Sequence, residues 1–304
     1  MRKPQLRKDY LLERWVIVSE ARGKRPHEFT LPKITKKDDP FSPGNEKETP
    51  ETIGSIGDPW EVRWFQNKFA AVSPEGNPKL EKQDFFQKSD AVGHHEVIVE
   101  TPGNKQLGQL SEKEIEKVLT AYKDRLTNLQ KDKNVAYVTL FKNSGPEAGT
   151  SIVHSHTQLI TTPNIPPLVQ EKVEARNKFI ECPHCKIIDI ESKSERHVFS
   201  TEDWVAFCPF APRFKYELWL YPKKHVTSIE DLDLKEMAKA LHQALPKVHK
   251  LGSYNMLFFY SPKGEDLHSH IELCPRLATW AGFELGSDII ITSVTPEEAA
   301  KYYR

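Results

Sequence analysis

The triplet His-Ser-His occurs twice in this chain, at residues 154–156 and 268–270, each time in an apolar frame. The segments around the two triplets match in order. "KFAAVSPEG" (68–76) is answered by "DWVAFCPFAP" (203–212), and "HEVIVETPGN" (95–104) by "YELWLYPKKH" (216–225). The interval from Glu96 to Asn104 equals that from Glu217 to His225. In each copy a helix-forming run follows, then a strand, then the strand with the triplet. A self-match over roughly 100 residues marks an internal duplication. Each copy reads strand, strand, helix, strand, strand. That order predicts an α+β unit, mostly antiparallel sheet with helices on one face, and two units sharing or extending one sheet. The expected division is a first domain at 1–165 and a second at 166–304, the first copy carrying extra residues at 75–92.

The helix of the first copy is predicted within "LSEKEIEKVLTAYKDRLTNLQKD" (110–132). Ile115, Val118, Leu119, Tyr122, Leu126 and Leu129 follow helical spacing, and Ser111 with Glu114 has the capping-box pattern. Its counterpart is expected at about 232–250. Strands are expected within 61–74, 94–102, 135–143, 151–160, 254–262 and 268–273. Residues 33–58, polar and rich in Pro and Gly, read as a long loop with little core of its own.

Charge excludes some partners. Lys plus Arg and Asp plus Glu both number 43 in 304 residues, so no net field draws the chain to a polyanion. Neither nucleic acid nor a membrane is an expected partner. No apolar run approaches the roughly 18–20 residues that span a bilayer, and "MRKPQLRKDYLLERW" has no apolar region after its basic residues. Four cysteines are no disulfide framework at this length. The expectation is a soluble, cytoplasmic protein.

Side chains alternate along a strand, so His154, His156 and Gln158 should share one face, as should His268, His270 and Glu272. Metal ligands, a nucleophile with its support, and plain polar residues facing solvent all fit that pattern. "KNSGPEAGTS" (142–151) leads into the first triplet. Its glycines would let backbone N–H groups approach an anion closely, and it also fits a simple turn.

His-x-His-x-Gln after an Asn…Gly-x-Ser loop, in a duplicated chain, resembles the galactose-1-phosphate uridylyltransferase branch of the histidine-triad superfamily. The likeness covers nearly the whole chain. It begins at "RKDYLLERWVIVSEARGKRP" (7–26), passes through "DPFSPGNE" (39–46), "NKFAAV" (67–72) and "HEVIVETP", and ends at "GFELGSDIIITSVTPEEAAKYYR" (282–304). The shorter members, among them plant-type ADP-glucose phosphorylase with its own His-Ser-His motif, resemble it more.

That resemblance implies duplicated histidine-triad-like domains and a nucleotidyltransferase whose nucleophile is His156. Imidazole is largely neutral at pH 7 and so offers a lone pair. Attack on the α-phosphate of a nucleotide sugar releases a sugar 1-phosphate, and a second phosphate acceptor, a hexose 1-phosphate, then takes the nucleotidyl group. Gln158, Asn143 and Ser151 are implied as donors to the nonbridging oxygens, and the His154 carbonyl as the holder of the other His156 nitrogen. Arg22, Arg25, Asn67, Phe69, Asn143 and Ser151 are the implied nucleotide site, and Glu284 the sugar ligand. Gln158 stands where hydrolytic relatives have histidine, which favours transfer over hydrolysis. Lys68 stands where uridylyltransferases often have Asp, and Ala278 where the galactose enzymes have a basic residue.

"CPHC" (182–185) has the spacing of a zinc half-site. Cys182, Cys185, His225 and His268 are the implied ligand set for one structural Zn2+, with His184 and His270 spare. At the corresponding first-half positions stand Asp39, Ser42 and Asn104 beside His154, so that site is expected to be lost and replaced by hydrogen bonds among those four. Cys208 and Cys274 read as small buried residues. The resemblance further implies a homodimer. Uridylyl transfer between UDP-glucose and galactose 1-phosphate is the leading reading and an ADP-glucose phosphorylase-like adenylyltransferase the alternative. A hydrolase and a non-catalytic nucleotide-binding protein are the other classes.

Overall fold

Ser111 and Glu114 cap the first long helix reciprocally: the Ser111 hydroxyl accepts from the Glu114 N–H, and the Glu114 carboxylate accepts from the Ser111 N–H at 2.7 Å. The computed structural model describes residues 4–19 and 39–304. The first half contains β1 (Gln5–Lys8), β2 (Trp15–Val18), β3 (Thr52–Ile56), β4 (Val62–Gln66), a hairpin of β5 (Glu81–Gln83) and β6 (Phe86–Lys88), β7 (His95–Val99), α1 (Glu112–Leu129), β8 (Tyr137–Ser144) and β9 (His156–Thr162). Then follow α2 (Pro167–Asn177), α3 (Pro183–Glu191), β10 (His197–Ser200), β11 (Trp204–Phe207), β12 (Leu218–Pro222), α4 (Leu234–Lys250), β13 (Tyr254–Phe259), β14 (His270–Pro275), α5 (Gly282–Ser287), β15 (Ile290–Thr292) and α6 (Pro296–Tyr303).

One ten-stranded sheet carries both copies, in the order β10-β11-β12-β14-β13-β8-β9-β7-β4-β3, with every neighbouring pair antiparallel. Outward from the central β13–β8 pair, where Asn255 faces Asn143, equivalent strands come in the same order on both sides. The duplication is therefore built as a single sheet. A parallel pairing of β15 with β2, Ile290 opposite Val16, ties the last strand to the second in a separate three-stranded sheet.

Alternation along the strands separates two faces. Ile98, Leu140, Leu159, Trp204, Ala206, Leu218 and Leu220 face α1 and α4, packing with Ile115, Val118, Tyr122, Leu241 and Leu245 in the main core. Each fully buried Ile, Leu or Val among them contributes about 1.5–3 kcal/mol by leaving water. On the opposite face the halves diverge. Ile188 of α3, with Tyr10, covers Val205, Phe207, Trp219 and Tyr221. In the first half Phe41 packs on Phe65, Val97 and Val99, with Trp60 and Ile152 half-buried beside it.

Several expectations change. Helices lie on one face for α1 and α4, but α3 lies on the other. The predicted loop at 33–58 contributes β3, an edge strand of the sheet, and Phe41, which is buried. The strand expected from 151 starts only at His156: the chain bends at His154, whose ring is held by Asp39 and Thr101, and the Ser155 carbonyl accepts from the Glu100 N–H at 3.1 Å just beyond the ladder. Among the described residues no helix is long and apolar enough to cross a membrane.

Candidate active site

His156 opens β9 opposite Val99, and Gln158 stands opposite Val97. Both face away from α1, whose Tyr122 meets the intervening Thr157. Only 7% of His156 is exposed, and the Phe41 ring packs edge-on against it with centroids 5.3 Å apart. His156 Nδ1 lies 2.8 Å from the His154 carbonyl oxygen. A carbonyl only accepts, so the hydrogen is on Nδ1 and the lone pair on Nε2, which has no partner among the described residues. Burial, with the Lys142 ammonium behind the strand, pushes the His156 pKa down to about 4. The ring is therefore neutral at pH 7, with a lone pair on Nε2.

Behind the strand lies a buried ion pair that sequence reading did not single out. Lys142 Nζ donates to Glu100 at 2.6 Å, to the Ser155 hydroxyl at 3.1 Å and to the His156 carbonyl at 2.9 Å. Ser155, Thr157 and Tyr122 donate to the same carboxylate. Burial raises the Glu100 pKa, but Lys142 and the hydroxyls outweigh it and hold the carboxyl below its ordinary value. The signal was available: Glu100 directly follows the run "HEVIV" and Lys142 the run "YVTLF", each a charge beside a strand's apolar residues.

His154 is held at both nitrogens. Nδ1 lies 2.6 Å from Asp39, which also accepts from the Ser42 hydroxyl at 2.9 Å, and Nε2 lies 2.6 Å from the Thr101 carbonyl. Of the four residues expected to close this region, Asp39, Ser42 and His154 are joined. Asn104 is exposed and makes no bond to them among the described residues; the Thr101 carbonyl takes that place.

Asn67 and Gln158 come together, Asn67 Nδ2 donating to Gln158 Oε1 at 3.3 Å, and His95, not picked out from the sequence, reaches the same oxygen at 2.9 Å. Phe69 follows Asn67 and is 83% exposed, available to stack on a ring. Asn143 Oδ1 accepts from Asn255 of the second half at 2.8 Å, and Arg276 donates to Asn255 at 2.9 Å, so the Asn143 amide nitrogen is turned away from them. Ser151 is exposed in the loop before His154. Gly145 of that loop has φ +84, and a Cβ there would lie 2.1 Å from Ser253 Oγ; its glycine serves close packing. Gly149, at φ +89 with open space around it, is the one free to approach an anion. Glu284 caps its own helix, accepting from the Ala281 N–H at 3.0 Å, and no contact joins it to the His156 group among the described residues. Arg22 and Arg25 lie outside the described residues.

The four residues at the metal half-site converge, their ligand atoms all within 4.8 Å of one another. His268 Nδ1 lies 3.8 Å from Cys182 Sγ and 3.6 Å from Cys185 Sγ, and His225 Nδ1 lies 3.7 Å from Cys185 Sγ. A tetrahedral ion with ordinary S and N bond lengths sets such edges at about 3.6 Å. The remaining ring nitrogens are oriented as ligating histidines require: His268 Nε2 toward the Pro222 carbonyl at 2.9 Å, His225 Nε2 toward Asp266 at 2.7 Å. Burial and the neighbouring Cys182 push the Cys185 thiol up to about 11, a repulsion that a cation would relieve. The group fits a metal ion. A second acidic group, Glu217, Glu272 and Cys274, is already served by Arg213 and Lys172. His184 and His270 are buried and stacked on each other rather than joined to the ligand set, and Cys208 and Cys274 are buried.

A duplicated antiparallel sheet carries a buried, neutral histidine on the face away from α1 and α4, and the relatives that match this chain over its length are nucleotidyltransferases. The model of the galactose-1-phosphate uridyl transferase N-terminal domain matches residues 1–166. A galactose-1-phosphate uridylyltransferase of Thermotoga maritima is 32% identical over 99% of this chain and 98% of its own length. The chain belongs to the galactose-1-phosphate uridylyltransferase family. The crystal structure of an ADP-glucose phosphorylase from Arabidopsis thaliana with bound ADP-glucose superposes with a TM-score of 0.87 at 28% identity, covering 100% of this chain and 98% of that one. A solved uridylyltransferase superposes with a TM-score of 0.76 at 29% identity, covering 99% and 97%.

Proposed function

We propose that the chain transfers a nucleoside monophosphate between a nucleotide sugar and a hexose 1-phosphate through a covalent intermediate on His156. The observation that carries this reading is the His156 tautomer, with Nδ1–H on the His154 carbonyl and a free Nε2 lone pair. Nε2 attacks the α-phosphorus and the bond to the bridging oxygen breaks, so a sugar 1-phosphate leaves with the electron pair. A phosphate oxygen of the acceptor then displaces the imidazole and restores neutral His156. Charge on the nonbridging oxygens is met by the Gln158 and Asn143 amides and by Ser151, with Arg22 and Arg25 on the phosphates. Asn67 and Phe69 take the nucleoside side and Glu284 a sugar hydroxyl. Cys182, Cys185, His225 and His268 hold one structural Zn2+, which supports the second half, divided from the first at about residue 165, and takes no part in the transfer. The assembly is a cytoplasmic homodimer.

Uridylyl transfer from UDP-glucose to galactose 1-phosphate is the primary reading, on the family and the Thermotoga relative. An ADP-glucose phosphorylase-like activity is the second, favoured by the higher TM-score of that structure and by Ala278 and Lys68. Incubation with UDP-glucose or ADP-glucose labelled in the α-phosphate, followed by denaturing electrophoresis, decides both points. Label retained by wild type and absent from His156→Ala is expected, and the nucleotide that labels names the base. Absence of label with both nucleotide sugars would sink the covalent mechanism.

A further inference from the structure

Two donors, the buried His95 and the half-buried Asn67, converge on one oxygen beside the proposed nucleophile. Gln158 Oε1 lies 2.9 Å from His95 Nε2 and 3.3 Å from Asn67 Nδ2. The chemistry of the neighbours fixes every hydrogen in this group. The Ala71 N–H, 3.1 Å from His95 Nδ1, can only donate, so Nδ1 carries the lone pair and the hydrogen of the neutral ring sits on Nε2. Asn67 Oδ1 accepts from the Phe69 N–H at 2.9 Å, which leaves its nitrogen facing Gln158. The 3.1 Å between Asn67 Nδ2 and His95 Nε2 then separates two donors aimed at one acceptor, not a bonded pair. Turning the Gln158 amide over would set its NH2 against both of them, and leaving a buried donor without an acceptor is costly. The amide has one orientation, and its nitrogen has no partner among the described residues.

We propose that His95 is a positioning residue for nucleotidyl transfer, acting through Gln158. By holding Oε1 it turns the Gln158 NH2 toward the phosphoryl oxygens on the face shared with His156, where charge grows in the transition state. Two hydrogen bonds into the amide oxygen also polarise the group and strengthen its N–H donors. A histidine meets both needs from one ring, accepting from Ala71 and donating to Gln158. The inference rests on the reading of His156 as nucleophile.

The test separates the ring's two bonds. His95→Asn places an oxygen near the Nδ1 position, keeping the acceptor for Ala71 while losing the donor to Gln158. His95→Gln places its amide nitrogen near the Nε2 position, keeping the donor and losing the acceptor. The rate at which α-phosphate label reaches His156 is measured in single turnover at saturating nucleotide sugar. His95→Asn should slow it by roughly 10- to 100-fold, part of the loss typical for a transition-state donor, with little change in nucleotide sugar affinity, and His95→Gln should stay near wild type. In a Gln158→Ala background, His95→Asn should cost less than about threefold further, the non-additivity of residues that act as a unit. A fast His95→Asn with a slow His95→Gln, or an equal cost of His95→Asn in both backgrounds, overturns the inference and leaves His95 as a support of the 67–71 turn. A wild type that takes up no label refutes the His156 reading itself, a result distinct from either.

Discussion

The Asp39 carboxylate lies 2.6 Å from His154 Nδ1, and the Thr101 carbonyl lies 2.6 Å from the other nitrogen of the same ring. His154 is thus held at both ring nitrogens, between a carboxylate and a backbone carbonyl. The carbonyl of that same residue holds His156 Nδ1. The pair thus fixes the backbone from which the proposed nucleophile takes its tautomer.

Removing the charge at Asp39 should loosen this arrangement. Asp39→Asn is expected to lower stability by about 1 kcal/mol, the low end for a charged hydrogen bond because the carboxylate is only half-buried. Burial tends to raise the Asp39 pKa, but the His154 bond, the Phe41 N–H and Ser42 together hold it below its ordinary value. The sign follows: its contribution is present above the unfolded carboxyl pKa of about 3.9 and is lost as pH falls through the lower folded value. Chemical denaturation of wild type and variant between pH 7 and 3 measures the difference, and curves that stay parallel to the acid end would refute the pairing.

His156 predicts a second acid dependence. Its folded pKa, depressed to about 4 by burial, lies below an unfolded value of about 6.5. The unfolded chain takes up this proton first, so stability is full above about pH 6.5 and falls as pH drops toward 4, by on the order of 3 kcal/mol. His156→Asn, which cannot titrate, should show a pH–stability slope shallower by about one proton in this window. Transfer itself should not lose rate to protonation of His156 until pH approaches 4.

How much of this was legible depended on whether the signal was periodic. The α1 cap at Ser111 and the Cys182–Cys185 half-site rest on short fixed spacings, and the structure carries both, with His225 and His268, implied by the family resemblance, beside the half-site. The two triplet strands are there too, but begin at their second histidines, His156 and His270. Helix α3 was missed because its nine residues begin inside the "CPHC" half-site and show only a short apolar stretch, and β3 because Thr52 to Ile56 sits among residues whose composition suggests a loop. Lys142 and Glu100 were missed for a different reason. They are 42 positions apart and acquire meaning only when β7, β8 and β9 stand side by side. His95 likewise has no value as a single histidine until Gln158 is placed beside it.

The Lys142–Glu100 pair should behave as a unit. Lys142→Met strands a carboxylate with no exposed side-chain surface, and is expected to cost about 3–5 kcal/mol, the usual penalty for an uncompensated buried charge. Lys142→Met with Glu100→Gln removes both charges while leaving a polar group for Ser155, Thr157 and Tyr122, and should recover a large part of that loss. Denaturant midpoints of the two singles and the double measure the coupling. Additive losses would mean that the two charges stabilise the strand independently.

Metal content tests the asymmetry between the halves most directly. In the second half the four ligand atoms lie within 4.8 Å of one another, three of their separations at 3.6–3.8 Å match tetrahedral edges, and both histidines are oriented through their outer nitrogens. At the first-half counterpart, Asp39 and His154 are in direct contact at 2.6 Å, and an ion bound between them would have to break that pair. Metal analysis of the purified chain should therefore find about one zinc per chain, falling sharply in Cys182→Ser, and chelation should lower the melting temperature of wild type but not of that variant. Two equivalents per chain would place an ion at Asp39 and His154 and overturn the replacement of that site by hydrogen bonds. The reverse substitutions, Asp39→Cys with Ser42→Cys and Asn104→His, restore a four-ligand set around His154, and should raise the content toward two.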